Sequence, residues 1–267
     1  MTVKKITHKI KSFKYFIKGV YLNRNHYYIK GLEIESDTFY AKVHELTKKE
    51  LAKSPSRTDV INFLLLQSKN ATNYLEIGVR NPDDNFNLIK ATQKYSVDPG
   101  VEFKSNPVDY KMTSDVFFDE LSNNKILNND IKFDVIFIDG LHLAEQVDRD
   151  IENALKYIKD DGFVVLHDCN PPSEWHAREN YNFIHTPAEE YWNGTTWKAF
   201  LKWRFNQNIN SCCIDSDWGV GIISKNQKIG NYISNENPFF EFKDLDQNRK
   251  HYLNLIDFSD FKRLLFI

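Results

Sequence analysis

The segment Phe133-Asp-Val-Ile-Phe-Ile138 decides the fold class of this 267-residue chain. It is apolar almost throughout, and a run without polar alternation is typical of a strand that is covered on both faces. Strands of this kind lie inside parallel sheets whose two faces are packed with helices. The segment therefore predicts an α/β protein.

Apolar strands and amphipathic helices alternate on either side of this segment. Strands are predicted at 74–79, 95–97 and 163–166, and helices at 37–52, 56–66, 83–93, 114–121 and 143–158. After an irregular stretch from 171 to 194, a helix is predicted at 195–205 and two strands joined by a tight turn at 211–215 and 219–223. Ser56 and Ser114 are expected N-caps. This order predicts a doubly wound, mostly parallel sheet that ends in an antiparallel hairpin.

Composition limits the class of protein and its surroundings. The formal net charge is −2, whereas a nucleic-acid-binding domain is usually clearly basic, so nucleic acid is not an expected partner. Two of the three cysteines, Cys212 and Cys213, are adjacent, which a normal disulfide does not join, so a reducing cytoplasm is expected. We expect a basic helical extension at 1–55, the main α/β domain at 56–230 and a helical tail at 231–267.

The N-terminal segment carries a concentration of positive charge. Residues 1–32 hold eight lysines or arginines and no acid. Apolar side chains recur there at a spacing that lays them on one face of a helix: Val3, Ile6, Ile10, Phe13, Ile17 and Val20. Two interpretations stay open. The helix lies on an anionic membrane surface or a partner, or it packs on the body of the protein or on a second subunit.

Residues able to bind ligands follow nearly every predicted strand. Ligands of open α/β sheets bind outside the carboxyl ends of the strands, near the point where the strand order reverses. Gly78 follows the first strand, where a backbone without a Cβ lets a ligand approach closely. Asp98 ends the second strand and either accepts both hydroxyls of a ribose or forms the turn before Pro99-Gly100. The segment after Gly78 lacks the later glycines of a dinucleotide-binding loop and the lysine of a P-loop.

Several of these segments resemble a known family. Leu75-Glu-Ile-Gly78, Asp98 and Phe133-Asp-Val-Ile-Phe-Ile-Asp-Gly140 resemble the class I S-adenosylmethionine-dependent methyltransferases, which have a Rossmann-like fold. More narrowly, Ile138-Asp-Gly-Leu-His142 and Val165-Leu-His-Asp168 are similar to the macrocin-type sugar O-methyltransferases and their relatives in surface-glycan gene clusters. The likeness spans about residues 59–223. It implies S-adenosylmethionine as cofactor and a hydroxyl of a nucleotide sugar or surface glycan as acceptor.

The resemblance also implies where the cofactor binds. Glu76 and Gly78 are expected at its methionine end and Asp98 at its ribose, with Ser114 and Asp115 near the adenine. Asn81 and Asp139 complete the expected cofactor-binding set. Pro82 departs from the family pattern, since a small residue, usually glycine, is common at that position.

Asp139 and His142 form an Asp-x-x-His unit at a strand end. In the macrocin-type relatives the matching aspartate ligates magnesium and the matching histidine is the general base. This chemistry suits a sugar hydroxyl, because a divalent cation acidifies it and an imidazole takes its proton. His167 and Asp168 occupy the place of the second ligand pair, usually two acids, so metal dependence is an open question. The expected metal ligands are Asp139, Asp168, His167 and Asn170, and the expected catalytic residues are His142, Asp139 and His167.

Two alternatives to a metal-assisted sugar O-methyltransferase stay open. One is a metal-independent methyltransferase for another small phosphorylated or phenolic acceptor. The other is a non-catalytic scaffold that docks on a membrane and keeps the methyltransferase fold. Trp192 and Trp197 suit either stacking on a sugar face or anchoring a loop to the core. The expected partners are a glycan or small-molecule acceptor, a second copy of the chain, and the inner face of the membrane through the N-terminal helix.

Overall fold

A computed structural model of the chain describes residues 3–22, 24, 27, 30, 31, 38–68, 70–103, 105–182, 186–234 and 236–265. The side chains of residues 3–8, 38 and 39 are outside this description. Val3 and Ile6 of the predicted apolar face therefore have no described side chain, and Asp37, where a helix is expected to begin, lies outside the described residues.

Helices and strands alternate along the described chain as predicted. The helices are α1 Val3–Leu22, α2 Thr38–Leu51, α3 Arg57–Leu65, α4 Ser114–Ser122, α5 Ala144–Tyr157, α6 Thr196–Arg204, α7 Phe242–Tyr252 and α8 Phe258–Leu265. The strands are β1 Asn73–Ile77, β2 Gln93–Val97, β3 Phe133–Ile138, β4 Ile158–Leu166, β5 Asn210–Ile214, β6 Val220–Ser224 and β7 Leu255–Ile256.

The strands form one mixed sheet in the order β2-β1-β3-β4-β6-β5-β7. β1, β2, β3 and β4 are mutually parallel, whereas β6 runs antiparallel to both β4 and β5. The strand order reverses between β1 and β3, which makes their carboxyl ends the switch point of the sheet. The predicted Rossmann-like α/β fold with an antiparallel C-terminal hairpin is confirmed.

Both faces of the sheet are covered, which explains the apolar segment at 133–138. Ile136 and Ile138 pack on one face with residues of α4, α5 and α6, whereas Val135 and Phe137 pack on the other face with residues of α3 and α8. All six residues of β3 are buried. A central strand of this kind has no solvent-facing side, so its sequence shows no alternation.

The predicted helix at 83–93 is wrong. Two short 3₁₀ turns, Pro82–Asp84 and Phe86–Leu88, stand in its place. The residue between them, Asn85, has non-helical backbone angles (φ −153°, ψ −57°), and its side-chain amide donates to the buried carboxylate of Glu76 at 2.9 Å. This tie to β1 holds Asn85 away from the helical conformation.

Two helix N-caps can be compared with their predictions. Ser56 caps α3 as predicted, and together with Asp59 it forms a complete capping box. The cap of α4 is Thr113 rather than Ser114, because the Thr113 hydroxyl accepts from the Val116 N–H while Ser114 is the first helical residue. Ser114 therefore lies inside the first turn of the helix rather than at its cap, and its side chain is buried.

The segment at 231–267 contributes more than the expected helices. β7 pairs in parallel with β5 at the edge of the sheet, and Leu245, Leu253 and Phe261 are fully buried. The division at residues 55 and 230 stays a prediction. Among the described helices, none combines the length and the apolar character that crossing a bilayer requires.

Candidate active site

A cavity of about 600 Å³ opens at the carboxyl ends of β1, β2, β3 and β4. This is within the usual size range of a small-molecule site. The predicted site residues on its wall are Glu76, Gly78, Asp98, Ser114, Asp139, His142, His167 and Asp168. The sheet brings most of them together because they lie at or just after the ends of strands that meet at one edge, and Ser114 joins them from the first turn of α4.

Gly78 lies where the turn after β1 crosses the turn after β3. Its φ of +86° is in the region that favours glycine, and a Cβ there would lie 2.3 Å from the carbonyl oxygen of Asp139. The sequence pattern explained this glycine by the approach of a ligand. The structure adds a second requirement, the close contact between two backbone segments of the protein itself.

Glu76 is a buried carboxylate that faces the cavity from β1. It accepts hydrogen bonds from the Tyr74 hydroxyl at 2.5 Å and from the Asn85 amide at 2.9 Å. Burial, with a contribution from the negative charge of Asp139, raises the pKa of Glu76 to about 7. Glu76 is therefore positioned by its neighbours and accepts a proton more readily than an exposed glutamate.

Asp98 lies on the cavity wall at the end of β2 and also organises the adjacent turn. One carboxylate oxygen accepts from the Arg80 backbone N–H at 3.0 Å and the other from the Gly100 N–H at 2.6 Å. The Asn106 amide also donates to the second oxygen, at 3.4 Å. Each carboxylate oxygen has two acceptor sites, so the oxygen that accepts from Arg80 keeps capacity for a ligand. Both interpretations of Asp98, turn former and ligand acceptor, are compatible with this geometry.

Buried polar residues from α4 and α5 line the cavity beyond Asp98. The Ser114 hydroxyl accepts from the Gln146 amide at 3.1 Å, and the same amide donates to Asp150 at 3.0 Å. Asp150, which sequence reasoning missed, is almost inaccessible to solvent, and burial raises its pKa to about 6. Asp115 pairs instead with Arg149 at 3.2 Å on the exposed side of α4.

Four ionisable residues form a compact cluster on the floor of the cavity, which we call the Asp–His cluster: Asp139, His142, His167 and Asp168. Both imidazoles contact both carboxylates. His142 lies 3.0 Å from Asp168 and 3.5 Å from Asp139, and His167 lies 3.1 Å and 3.2 Å from the same two residues. Asp139, His142 and Asp168 each offer one ligand atom, and these atoms lie within 4.8 Å of one another.

The charges of this cluster shift the protonation of its members. Burial by itself lowers the pKa of His142, but the carboxylates of Asp168 and Asp139 outweigh it and raise the pKa to about 9. Burial also lowers the pKa of His167, but the negative charges of Asp168 and Asp139 outweigh it and hold this pKa well above its usual value. Burial opposes ionisation of Asp139, yet the positive charge of His167 and a hydrogen bond from His142 keep its pKa well below the usual range.

Arg57 and Asp217 extend the cluster and were missed by sequence reasoning. Arg57 Nε lies 3.7 Å from Asp139, and its Nη1 atom lies 3.4 Å from Asp217. The backbone N–H of Arg57 donates to Asp217 at 2.7 Å, and His167 Nε2 lies 3.2 Å from the same carboxylate. The capping box of α3 places Arg57 in the first helical turn, but no sequence pattern pairs it with a turn residue so far along the chain.

Asp168 has a φ of +62°, a conformation that aspartate adopts only at some cost. The Asn193 amide donates to its carboxylate at 2.8 Å. This bond fixes Asp168 against the irregular segment at 171–182 and 186–194, the loop that covers the cavity. Strain held in place by surrounding contacts is common at functional sites. The position of Asp168 is consistent with such a site.

The loop that covers the cavity contacts His142 closely. Trp192 stacks on the His142 ring at 5.2 Å between centroids, and the Thr195 N–H donates to the His142 carbonyl at 2.8 Å. Gly194 has a φ of +60°, and a Cβ there would lie 2.1 Å from the same carbonyl. Trp197, in contrast, is buried in the core against Phe242. Of the two tryptophans, Trp192 alone is on the cavity wall.

Two further expected site residues have their side chains engaged outside the cavity. The Asn170 oxygen accepts from Arg249 at 2.6 Å and its amide donates to Asp215 at 3.2 Å. Asn81 caps the 3₁₀ turn that starts at Pro82. The structure does not bring either side chain to the Asp–His cluster, and their binding roles stay predictions.

Comparisons with known proteins bear on this site. Residues 75–169 match a family described as “Methyltransferase domain”. No curated protein matches the chain in sequence.

Three solved structures illustrate the more distant likenesses. MycE from the mycinamycin biosynthetic pathway, solved with Mg, SAH and mycinamycin VI, is 15% identical, with 80% of this chain and 65% of that chain covered and a TM-score of 0.43. The O-methyltransferase TomG from Streptomyces achromogenes is 13% identical, with 71% and 90% covered and a TM-score of 0.41. An O-methyltransferase from Bacillus cereus is 18% identical, with 73% and 93% covered and a TM-score of 0.37.

The family match covers the part of the sheet that carries the cavity. The matched segment runs from β1 through the end of β4 and includes Gly78, Asp98, Asp139, His142 and Asp168. These residues lie on the wall of the cavity at the switch point of the sheet. Residues 75–169 are thus similar to a methyltransferase domain, and they lie in a Rossmann-like sheet.

Proposed function

We propose that the protein is an S-adenosylmethionine-dependent O-methyltransferase that acts on a sugar hydroxyl with the assistance of a divalent cation. The observation that carries this proposal is the Asp–His cluster, which combines two carboxylates and two imidazoles on the floor of the cavity. The cluster adjoins Gly78 and Glu76, where the methyltransferase resemblance puts the methionine end of the cofactor.

The cavity suits the proposed cofactor. It extends from Glu76 and Gly78 past Asp98 to Ser114 and Asp150, so acidic and hydroxyl groups follow one another along its wall. A carboxylate at the position of Asp98 can accept from both ribose hydroxyls, and charge-assisted bonds of this type are strong. When bound, S-adenosylmethionine supplies an activated methyl group.

The carboxylates of Asp139 and Asp168 suit a divalent cation, since hard cations prefer oxygen ligands. We assign these two residues as ligands. His142 offers a further ligand atom within 4.8 Å of theirs, whereas the oxygen of Asn170 is occupied by Arg249. A bound cation would offset the negative charge of the two carboxylates and polarise the acceptor hydroxyl.

We assign His142 as the general base of the cation-bound enzyme, because a cation would offset the two carboxylates that raise the pKa of this imidazole to about 9. Its side chain is about 20% exposed, compared with 8% for His167, so it is the more accessible imidazole of the cluster. Asp139 contacts its Nε2 atom and Asp168 its Nδ1 atom, and the Trp192 ring stacks on its face. With its proton taken by His142, the hydroxyl oxygen would attack the methyl carbon as the bond from that carbon to sulfur breaks, so that S-adenosylhomocysteine would be the leaving group. Holding the oxygen and the methyl carbon in line would supply much of the rate.

His167 and Arg57 are positioning residues in this scheme. His167 Nδ1 contacts both proposed ligands while its Nε2 contacts Asp217, and Arg57 links Asp139 to Asp217. These contacts fix the carboxylates before any ligand binds. Preorganised charges of this type act without reorganisation during the reaction.

Aromatic and polar side chains at the cavity wall support a sugar acceptor. Tyr181, Tyr191 and Trp192 line the cavity together with the carboxylate of Glu190. Aromatic faces pack on the apolar face of a sugar ring, and a carboxylate accepts from its hydroxyls. This combination supports the sugar acceptor that the macrocin-type resemblance implies.

Calorimetry with S-adenosylmethionine and S-adenosylhomocysteine tests the central claim. We expect the intact chain to bind both and the Asp98→Asn variant to bind at least about 10-fold more weakly, because one charge-assisted acceptor is lost. Asp130→Asn, which changes an exposed aspartate, is the matched control and should bind like the wild type. Failure of the intact chain to bind either compound contradicts the proposal.

A metal-independent methyltransferase is the second candidate, and one observation favours it. The cations His167 and Arg57 already lie against Asp139, as a bound cation would. Transfer of a labelled methyl group to a panel of nucleotide sugars and phenols, with and without exhaustive EDTA treatment, separates the two. Loss of activity that Mg²⁺ or Mn²⁺ restores supports the metal-assisted reaction, and undiminished activity supports the alternative.

A further inference from the structure

The helix α1 presents an apolar stripe to solvent. Ile10, Phe13, Ile17 and Val20 follow one another at helical spacing, and Tyr21 continues the stripe. Their exposed fractions range from 54% for Ile17 to 86% for Tyr21. A contiguous exposed apolar surface usually marks a site of interaction, whereas isolated exposed apolar residues do not.

The face of α1 opposite the apolar stripe contacts Gly31 and, through Lys11, the loop that covers the cavity. The buried Ser12 hydroxyl donates to the Gly31 carbonyl at 2.7 Å, and a Cβ on Gly31 would lie 3.0 Å from the Phe16 ring. Lys11 pairs with Glu189 of the loop that covers the cavity. These contacts lie on the side of α1 away from the apolar stripe, whose side chains are exposed.

Lysines flank the apolar stripe. Lys14 and Lys18 lie along one side and Lys9 along the other, and all three are exposed. The whole segment from 1 to 32 holds eight lysines or arginines and no acid. An apolar stripe bordered by lysines is the pattern of a helix that lies flat in a membrane interface.

We propose that this face of α1 docks on an anionic phospholipid surface. The apolar side chains would enter the boundary between headgroups and acyl chains while the flanking lysines contact the headgroups. Charge argues against a second copy of the chain as the occupant, because two such faces would bring like-charged lysines together. An anionic lipid surface complements this charge, with about 1 kcal/mol contributed by each basic residue near the surface. The proposal is independent of methyl transfer.

Flotation of the full chain with vesicles tests the proposal. We expect binding to phosphatidylcholine vesicles that contain phosphatidylglycerol, weaker binding at high salt, and little binding to pure phosphatidylcholine. The variant Ile10→Ser/Phe13→Ser/Ile17→Ser should bind at least about 10-fold more weakly, because the buried apolar area is lost. Lys9→Gln/Lys14→Gln should lose part of the binding and part of its salt dependence.

Matched variants elsewhere on the surface are the controls. Leu66→Ser/Leu88→Ser/Phe239→Ser removes three exposed apolar side chains, and Lys243→Gln/Lys250→Gln removes two exposed lysines. Both should bind vesicles like the wild type. Thermal unfolding of every variant shows whether the fold is retained.

Three outcomes contradict the proposal. The full chain fails to bind anionic vesicles, or the serine variant of α1 binds them as well as the wild type does. The third is a dimer, seen by sedimentation, that the serine variant disrupts while neither protein binds vesicles. That result would assign the apolar stripe to a second copy of the chain.

Discussion

Asp139 and Asp168 end the neighbouring strands β3 and β4, and the sheet register places their carboxylates against the same two imidazoles. Two unpaired carboxylates so close together would repel each other, and one would tend to hold a proton. The imidazoles of His142 and His167 remove this conflict by supplying positive charge. The function of each of these residues therefore depends on the other three.

The first prediction separates cation binding from proton transfer. Asp168→Asn should weaken the binding of Mn²⁺ by at least about 10-fold, because a carboxylate ligand becomes an amide. His142→Gln should leave Mn²⁺ binding within a few-fold of the wild type but lower kcat by about 10² to 10⁴, the usual contribution of a general base. Mn²⁺ binding is measured by calorimetry and kcat by methyl transfer.

His251→Gln provides the control for this pair of variants, since His251 is exposed and distant in sequence from the cluster. It should change neither quantity. If His142→Gln abolishes Mn²⁺ binding, His142 is a ligand and the assignment of the base is wrong.

At the scale of elements, α5 carries a charge on its buried face. Val147, Ile151 and Ala154 pack that face against the sheet as the helical spacing predicts, but Asp150 is buried among them. The Gln146 amide donates to it at 3.0 Å and the Ser114 side chain also forms a hydrogen bond with it, but burial outweighs both and raises its pKa to about 6. The ionised carboxylate is thus less stable in the folded chain than in the unfolded chain.

The second prediction follows from the sign of this shift. Between about pH 4 and 6 the folded chain binds more protons at Asp150 than the unfolded chain does, so the free energy of unfolding falls as pH rises through this window. Asp150→Asn removes that term and retains an oxygen acceptor for Gln146. We expect the variant to be more stable at neutral pH by about 1 to 3 kcal/mol, measured by urea unfolding.

Asp130→Asn tests whether the effect belongs to the buried position, because Asp130 is exposed. Its free energy of unfolding should match that of the wild type at every pH. A loss of stability in Asp150→Asn at neutral pH would show that the carboxylate forms contacts that the amide cannot replace.

At the scale of the whole molecule, His176 joins α2 to the segment that covers the cavity. This fully buried imidazole lies 2.8 Å from the Ser173 hydroxyl and 3.1 Å from the Thr47 hydroxyl, and its ring packs on Trp218. Burial, together with the charges of Arg178 and Arg249, lowers its pKa to about 3. The folded protein therefore requires the neutral ring.

The third prediction concerns the acid stability of the whole chain. The unfolded chain protonates His176 near its ordinary pKa, whereas the folded chain does so only near pH 3, so the free energy of unfolding falls as pH drops below about 6.5. The loss from this group should reach about 2 kcal/mol by pH 5. Urea unfolding of the wild type and His176→Gln, at neutral pH and at pH values down to about 5, measures the difference.

His176→Gln should be less stable at neutral pH but should show a smaller loss toward pH 5. An equal pH dependence in His176→Gln and the wild type would exclude His176 as the source.

Hydrophobic periodicity predicted every described strand except β7, most of the helices and the doubly wound sheet of this protein, because periodicity is a local property that the sequence displays directly. The order of residues after the strands likewise predicted most of the cavity wall, since parallel strands end at one edge. The tertiary structure alone showed that Arg57, Asp150 and Asp217 belong to the cavity or its cluster. It also showed that Asn85 interrupts a predicted helix and that the apolar stripe of α1 faces outward. These features depend on contacts between segments distant in sequence, and no local pattern specifies which side chains such contacts bring together.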